Sequence, residues 1–236
     1  GGETFQCILT SPEKQQIFDI LADRKKKTIV EYLKKFPNLD AVKYFVMDMN
    51  HVYLGICNEL FPNAKPVADR FHYTRCCTEA IEAVRKRVQY SLSSKARKLF
   101  KKSRKLLLKK DGKLSPEERV AVEALIAHSE DLARAWLLKE DFYRFLQSKD
   151  SDEAKKKLDQ FCHSAKKLQL PEFEPLLKTL KNWEPYILNS FDCPYSNGFT
   201  EGTNNSIKVL KRVTYGMPNF RNFRARILHC CSKVVP

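Results

Sequence analysis

The sequence lacks a hydrophobic segment long enough to cross a bilayer. No apolar run approaches the ~18 residues that a membrane-spanning helix requires. A recognisable signal peptide is also missing. Both absences argue against a role within the membrane, and we therefore expect a cytoplasmic protein.

The sequence also lacks the cysteine spacing of a zinc ribbon. Its eight cysteines form no CxxC pair. They include two adjacent doublets, Cys76-Cys77 and Cys230-Cys231, which do not suit such a site. We expect reduced, mostly buried thiols, as in other cytosolic proteins.

Acidic residues are scarce relative to basic ones. The chain has 236 residues, with 43 Lys and Arg against 28 Asp and Glu, for a formal net charge of +15. Such a surplus predicts a polyanionic partner, most simply nucleic acid, with a membrane surface as the competing partner. Residues 85–113 hold thirteen Lys and Arg against one acid, Asp111. This stretch is either a solvated helix face or a DNA-binding surface, whose candidate residues are Arg85, Lys86, Arg87, Lys101, Lys102, Arg104 and Lys105.

The first third of the chain alternates between strand-like and helix-like segments. The periodicity predicts strands at 4–10, 16–22, 43–49 and 64–69, and helices at 27–36 and 51–61. The first two strands, joined by the polar turn SPEKQ, are expected to form a hairpin. The resulting order, β-β-α-β-α-β, is typical of an α/β fold.

Residues 73–189 contain no convincing strand. Helical periodicity predicts helices over 116–147, 151–167 and 172–188, with Ser115 as the N-cap of the first and Pro116 at its first position. A loop rich in Pro, Ser, Asn and Gly follows, then a helix that begins near Gly198 and a last helix over 219–231. The chain therefore divides at about residues 72 and 190.

Glu201 lies at the start of that late helix, in the sequence GFTEGTNNSIKVLKR. Helical geometry places on one arc of about 100° the side chains of Glu201, Asn204, Lys208, Lys211 and Arg212. One interpretation is an ordinary amphipathic helix with Thr200 as its N-cap. The other is a site: small and amide residues allow close approach of a phosphate, which the helix N-terminus helps to bind. In that case Lys208, Lys211 and Arg212 would contact DNA.

Two further acids follow predicted strands. Asp48 ends the apolar run KYFVM, at the carboxyl end of a strand, where sites of α/β sheets form. Asp69 ends the next strand, and His72 follows three residues later, on the same face of any helix that begins there. Each acid could instead cap a helix. Taken together, three acids in a basic chain favour metal-assisted phosphoryl chemistry on nucleic acid, with Mg²⁺ or Mn²⁺ held by carboxylates.

Two blocks of the sequence closely resemble a known family. The blocks are VKYFVMDMNHVYLGICNELFPNAKPVADRFH and SNGFTEGTNNSIKVLKRVTYGMPNFRNFRARILHCC. They resemble the DDE-type transposases of bacterial insertion sequences, specifically the ISL-three family. The resemblance covers most of the chain and is looser in the helical middle.

The resemblance implies a ribonuclease-H-like core interrupted by a helical insertion before its last acid. The core would comprise residues 1–72 and 191–236, and the insertion residues 73–190. Asp48 would be the second catalytic acid and Glu201 the third, both as metal ligands, with Asp69, His72 and Asn204 as accessory residues. The implied protein cleaves and joins DNA at transposon ends and targets, in the bacterial cytoplasm close to the nucleoid, and could assemble with copies of itself on DNA.

The resemblance also implies a first acid on an opening strand that this chain does not contain. Glu3 is the only acid in residues 1–10, and it precedes the hairpin instead of ending a central strand. Amino-terminal zinc-binding and helix-turn-helix regions of the family are likewise missing. We therefore expect an amino-terminally truncated core without appreciable strand cleavage and with little sequence preference for DNA. The alternative is a DNA-binding remnant that has no catalytic role, and binding of a divalent metal distinguishes the two.

Overall fold

A computed structural model of the chain describes residues 6–100, 103–195, 198–214 and 219–231. The described residues are mostly helical with four short strands, which makes this a mixed α/β protein. The chain divides into two compact units. Gly1–Asp69 and Cys193–Pro236 form the mixed unit, and Arg70–Asp192 forms the helical unit. Because units defined by contacts are not domains of independent folding, the predicted domain bounds remain a prediction.

The secondary structure follows the predicted order of strands and helices. In chain order the elements are β1 (Cys7–Ser11), β2 (Gln16–Leu21), α1 (Lys26–Leu33), β3 (Tyr44–Met47), α2 (His51–Leu60), β4 (Lys65–Ala68), α3 (Arg70–Ser91), α4 (Ser94–Phe100), α5 (Ser103–Leu108), α6 (Pro116–Ile126), α7 (Glu130–Leu146), α8 (Ser151–Leu168), α9 (Glu174–Asp192), α10 (Gly198–Val213) and α11 (Phe220–Cys231). None of the helices in this described part is long and apolar enough to cross a membrane.

The predicted hairpin is present in the mixed unit. Strands β1 and β2 pair antiparallel, with an irregularity between Leu9 and Thr10 that shifts the register. The tight turn places Gln15 in the left-handed region, at a φ of 48°. That conformation costs energy for a residue with a Cβ, so the pairing on either side must hold it in place.

Strands β3 and β4 form a separate parallel pair. Tyr44 lies opposite Lys65 and Met47 opposite Ala68, and helix α2 makes the crossover between the strands. Asn50 caps α2, because its side-chain oxygen accepts a hydrogen bond from the backbone of Val52 at 2.8 Å. The parallel pairing brings the carboxyl ends of β3 and β4 to the same edge.

Two apolar clusters hold the mixed unit together. The first packs the hairpin residues Cys7 and Leu21 against buried side chains of α1 and α2. The second packs Ile17 and Ile20 of β2 against Ile207 of α10, and Phe223 and Ile227 of α11. Burial of each such side chain stabilises the fold by roughly 1.5–3 kcal/mol. The hairpin therefore has one face on the early helices and another on the late ones.

The helical unit is built around buried aromatic side chains. Its largest fully buried residues include Tyr73, Phe142, Phe145 and Phe161, whose rings contact one another at centroid separations of 5.2–6.5 Å. The predicted cap of α6 is confirmed: Ser115 and Glu118 form a reciprocal capping box.

Two sequence-based expectations about elements need correction. The stretch 116–147 is two helices, because α6 ends at Ile126 and Ser129 caps a new helix, α7. Helix α10 begins at Gly198, so Thr200 lies inside the helix and does not cap it.

The cysteines are less uniformly buried than expected. The seven whose side chains are described form no disulfide with one another. Cys7, Cys57 and Cys77 are buried and Cys230 is exposed, with the remaining three between these extremes. Burial raises the pKa of the Cys7 and Cys57 thiols to about 11, so these two are protonated and unreactive at neutral pH.

Candidate metal centre

Asp48 and Asp69 follow directly after the two parallel strands. The backbone N–H of Asp69 donates to the carbonyl of Met47 at 2.9 Å, which continues the parallel ladder beyond β4. The two acids therefore leave the sheet side by side. Asp69 is buried, at 5% exposure, while Asp48 is partly exposed.

The side chains of Asp48, Asp69 and His72 converge. Each offers one ligand atom, and these three atoms lie within 4.8 Å of one another. His72 lies in the first turn of α3, three residues after Asp69, so the short intervening chain holds its ring close to that carboxylate. Two carboxylates and an imidazole at this spacing form a donor set that fits a divalent cation.

Asn50, two residues after Asp48, occupies the N-cap position of α2. Its side chain accepts the capping hydrogen bond, and the Asp48 carbonyl accepts a hydrogen bond from the Asn50 N–H at 2.6 Å. This tight turn into α2 fixes the position of Asp48 after β3.

The negative charge of Asp48 raises the pKa of two neighbouring groups, Tyr53 and Cys7. Burial is the main cause of the raised pKa of Tyr53 on α2, and the Asp48 carboxylate adds to it. Asp48 likewise raises the pKa of Cys7, whereas Arg24 lowers the pKa of both groups. Arg24 also donates from Nε to the Gln6 carbonyl at 3.1 Å. No pattern in the sequence points to Tyr53, Cys7 or Arg24 as neighbours of Asp48, because they come from separate parts of the chain.

Glu201 lies in the first turn of α10, in the mixed unit, and is partly exposed. Its helix is fixed near both ends. Thr200 and Thr10 of β1 share a hydrogen bond at 2.7 Å, and Lys211 donates to the Gln6 side chain at 2.9 Å. Among the described residues, the group of three converging ligands does not include Glu201. The approach of Glu201 to Asp48 stays a prediction.

Two of the cations on α10 are exposed to solvent and one packs against the protein. Lys208 and Arg212 are exposed. Lys211 instead turns inward, with its ammonium 5.1 Å from the centre of the Phe223 ring. Asn204 is partly buried. Of the predicted DNA-binding residues on this helix, Lys208 and Arg212 therefore present their charge to solvent.

The candidate DNA-binding residues of the basic stretch 85–113 also divide into cations paired within the protein and cations exposed to solvent. Arg85 is nearly buried and pairs with Glu82 at 2.7 Å, while Arg87 pairs with Asp131 at 2.8 Å and Glu172 at 2.5 Å. These pairs raise the pKa of both arginines, which keeps them charged but engages them within the helical unit. Lys86, Arg104 and Lys105 are exposed. Lys101 and Lys102 lie outside the described residues.

The sequence matches known transposases over nearly its whole length. The profile of a family described as "Transposase", that of the ISL-three DDE enzymes, matches residues 2–227. A transposase for the insertion sequence element IS1001 of Bordetella parapertussis is 25% identical over 231 residues, covering 96% of this chain and 57% of the relative. The transposase for IS1557 of Mycobacterium tuberculosis is 27% identical over 195 residues, covering 73% of this chain and 43% of the relative.

A shorter match has a different description. A protein of Lactococcus lactis described as an ATP-dependent protease is 45% identical over 62 residues, which cover 26% of this chain and 20% of that protein. So short a match carries no conclusion about activity. No solved structure matches the chain. The chain spans about half the length of the transposases it matches, and with the family profile covering nearly all of it, this protein belongs to the ISL-three family of DDE-type transposases.

Proposed function

We propose that this chain carries the catalytic centre of an insertion-sequence transposase, which cleaves and joins DNA strands with the help of a divalent cation. The observation that carries this proposal is the convergence of Asp48, Asp69 and His72 at the carboxyl ends of two parallel strands. Family membership supplies the reaction type.

The donor set limits the identity of the cation. Carboxylate oxygens of Asp48 and Asp69 suit Mg²⁺ and Mn²⁺, and an imidazole nitrogen is a ligand that Mg²⁺ rarely takes. With His72 as a ligand, Mn²⁺ is favoured over Mg²⁺; with His72 as a hydrogen-bonding neighbour, both fit. When bound, such an ion polarises a phosphodiester and activates the attacking hydroxyl.

The role of Asp69 changes from the one that the resemblance implied. Asp69 and His72 were expected to be accessory residues, but their ligand atoms and that of Asp48 all lie within 4.8 Å of one another. We propose that Asp69 is a ligand in its own right. Its place directly after β4, beside Asp48 at the end of the parallel β3, supports this role.

Glu201 is proposed as the third acid, from the first turn of α10. Two features support this role: the helix belongs to the same compact unit as Asp48 and Asp69, and contacts near both its ends fix it against Thr10 of β1 and against Gln6, which precedes β1. Asn204 would hold the substrate or the Glu201 side chain, and Lys208 and Arg212 would contact phosphates along the same helix.

The mixed unit is proposed to be a ribonuclease-H-like core. An antiparallel hairpin, a parallel βαβ pair, a helical insertion and then a Glu-bearing helix occur in the order that this fold requires. The hairpin and the parallel pair are two-stranded sheets in the described residues, and sheets of two strands are marginally stable alone. A further strand that joins them into one sheet is part of this proposal.

Binding of Mn²⁺ by the purified chain tests the proposed centre. We expect Asp48→Asn, Asp69→Asn and His72→Ala each to weaken Mn²⁺ affinity by about tenfold or more, as removal of a ligand does. Asp40→Asn is the matched control, because Asp40 is an exposed acid of the same unit outside the cluster. Affinity unchanged in all three variants would contradict the proposal.

The same preparations separate catalysis from simple DNA binding. Strand cleavage is measured on a transposon-end duplex with and without Mn²⁺. A chain that binds DNA but neither binds Mn²⁺ nor cleaves would be the DNA-binding remnant, the alternative function of a chain with this charge. Metal binding through Asp48 and Asp69 favours the catalytic role over that alternative.

A further inference from the structure

A cavity of about 330 Å³ lies at the outer edge of β2 in the mixed unit, lined by residues of α1 and α11. Its size is at the lower end of the ~300–1,000 Å³ typical of small-molecule sites. The last three residues of β2 and the adjacent Ala22 also line it. None of Asp48, Asp69, His72 and Glu201 lines it, so it is distinct from the candidate metal centre.

Aromatic rings form part of the wall and continue beyond it. Tyr32 and Phe220 line the cavity. The Tyr32 ring lies 5.4 Å from that of Phe36, which lies 5.0 Å from that of Phe18. Phe18 is 52% exposed, which is unusual for so large an apolar side chain. The rings form an aromatic surface at the edge of the hairpin.

A buried hydrogen-bond network fixes this wall. Asp19 is 3% exposed and accepts two hydrogen bonds from Arg224, at 2.6 and 2.8 Å, and one from the Tyr32 hydroxyl at 2.5 Å. The network lowers the pKa of Asp19 despite its burial. The Tyr32 ring and the Arg224 side chain are thus held in place before any ligand binds, which reduces the entropy cost of binding.

The polar groups of the cavity suit a planar ring with donors and acceptors at its edge. Glu31 can accept hydrogen bonds, and Thr28 and Lys35 can donate them. The Lys35 ammonium lies 5.9 Å from the centre of the Tyr32 ring. Among the described strands, β2 pairs only with β1, so the other edge of β2 pairs with no strand. The Glu31 carboxylate would repel a phosphate inside the cavity, so the ring of a nucleotide fits here better than its phosphate.

We propose that this cavity binds an unstacked nucleobase of the DNA substrate, with Tyr32 and Phe220 as the stacking surfaces. The inference rests on the proposed function, which supplies the DNA. Stacking of bases on aromatic side chains next to cations is how proteins hold unpaired nucleotides. A second copy of the chain is the weaker candidate for this edge, because two molecules of net charge +15 repel each other.

The test compares binding of a duplex that carries one bulged 2-aminopurine with binding of the fully paired duplex. The wild-type chain is expected to prefer the bulged duplex by about tenfold, with a change in 2-aminopurine fluorescence as the base stacks. Ala22 is exposed and lines the cavity, so Ala22→Phe fills the space and should abolish the preference while duplex affinity is unchanged. Ala225→Phe, at an exposed position of α11 outside the cavity, should leave the preference intact.

A second variant preserves the volume and the fold. Glu31 is exposed, and Glu31→Gln removes its charge without changing its shape. It should weaken binding of a bulged cytosine, whose amino group donates, more than that of a bulged thymine.

Four results would overturn the inference. Retention of the preference by Ala22→Phe would do so, as would a wild-type chain that binds duplex DNA without preferring the bulge; both leave the proposed function intact. A dimer in solution that Ala22→Phe disrupts would show that the edge binds a protein strand instead. A wild-type chain that binds no DNA would contradict the proposed function, and this inference with it.

Discussion

The chemical role of single residues in this protein depends on the strands and helices that begin or end next to them. Asp48 and Asp69 are brought together because each directly follows a strand of a parallel pair, and His72 because it follows Asp69 by three residues. The charge state of a residue depends equally on where it is buried. Lys139 of the helical unit is fully buried, and burial lowers its pKa to about 8 although its pairing with Glu140 raises it.

We expect Lys139 to make stability depend on pH in a defined window. Its pKa in the folded protein, about 8, is below its ordinary value of 10.5, so the unfolded chain binds more protons between pH 8 and 10. Stability from this group is therefore present above pH ~10 and is lost as pH falls towards 8, by up to about 3 kcal/mol. Lys139→Met removes this dependence, which chemical denaturation at pH 8 and pH 10 measures.

The difference between wild type and variant is the quantity to compare. Cys7 and Cys57 titrate near pH 11 when folded and change stability in the opposite direction, but both proteins share that contribution. The wild type should gain stability relative to Lys139→Met between pH 8 and 10. A constant difference would show that Lys139 keeps an ordinary pKa.

Glu201 carries a second prediction at this scale. In a preparation that cleaves DNA, Glu201→Gln should abolish cleavage and leave DNA affinity unchanged, because the amide keeps the shape of the side chain and loses its charge as a ligand. Cleavage of a transposon-end duplex and binding to the same duplex are both measured.

An experimental structure with Mn²⁺ should place the carboxylates of Asp48 and Glu201 within about 10 Å, since paired ions lie ~4 Å apart. A greater separation would exclude Glu201 as a ligand.

At the scale of the element, helix α10 has one side packed against the protein and one side exposed to solvent. Thr203 and Ile207 are buried, and Lys211 contacts Gln6 and Phe223. Lys208 and Arg212 face solvent. The helix thus packs against the mixed unit through one side and presents two cations to solvent on the other.

The two sides of α10 should respond differently to substitution. Replacing both Lys208 and Arg212 by Ala should reduce the slope of log affinity for DNA against log salt by up to about 2, because two counterion-releasing contacts are lost. Lys211→Ala should instead lower the melting temperature, since it removes a hydrogen bond and a cation–π contact. A slope that changes with Lys211 and not with the outer pair would reverse this assignment.

How far the sequence predicts this protein depends on whether a feature is local. The hairpin, the βαβ unit and the cap at Ser115 follow from periodicity and capping residues, and these are confirmed. The break between α6 and α7 was missed because Ser129, the cap of α7, interrupts an otherwise continuous helical pattern. Arg87 looked like a surface cation, since its partners Asp131 and Glu172 are distant in sequence. Contacts of that kind leave no local pattern.

For the whole molecule, the positive charge is concentrated in two segments of the chain. Residues 85–113 hold thirteen Lys and Arg against one acid, and residues 193–236 hold seven against one. The rest of the chain has 23 Lys and Arg against 26 acids, so it contributes none of the net positive charge. If DNA is bound through phosphates, these two segments are the first candidates for the contacts.

The last prediction concerns the first of these segments and the sequence preference of the whole chain. We expect the chain to bind unrelated duplexes with similar affinity, because phosphate contacts carry no sequence information. We expect that affinity to fall steeply with salt, because phosphate contacts release counterions. Replacing Lys101, Lys102, Arg104 and Lys105 by Ala should flatten the salt dependence without loss of thermal stability, since Arg104 and Lys105 are exposed. The matched control replaces Arg85 and Arg87, which should instead lower the melting temperature, because Arg85 is nearly buried against Glu82 and Arg87 joins two other elements of the helical unit. Binding to duplexes of several sequences is measured over a range of salt concentrations, with thermal denaturation in parallel. A salt slope that the fourfold variant leaves unchanged would exclude these four residues as the main phosphate contacts, and Lys208 and Arg212, the exposed cations of α10, would be the next to replace.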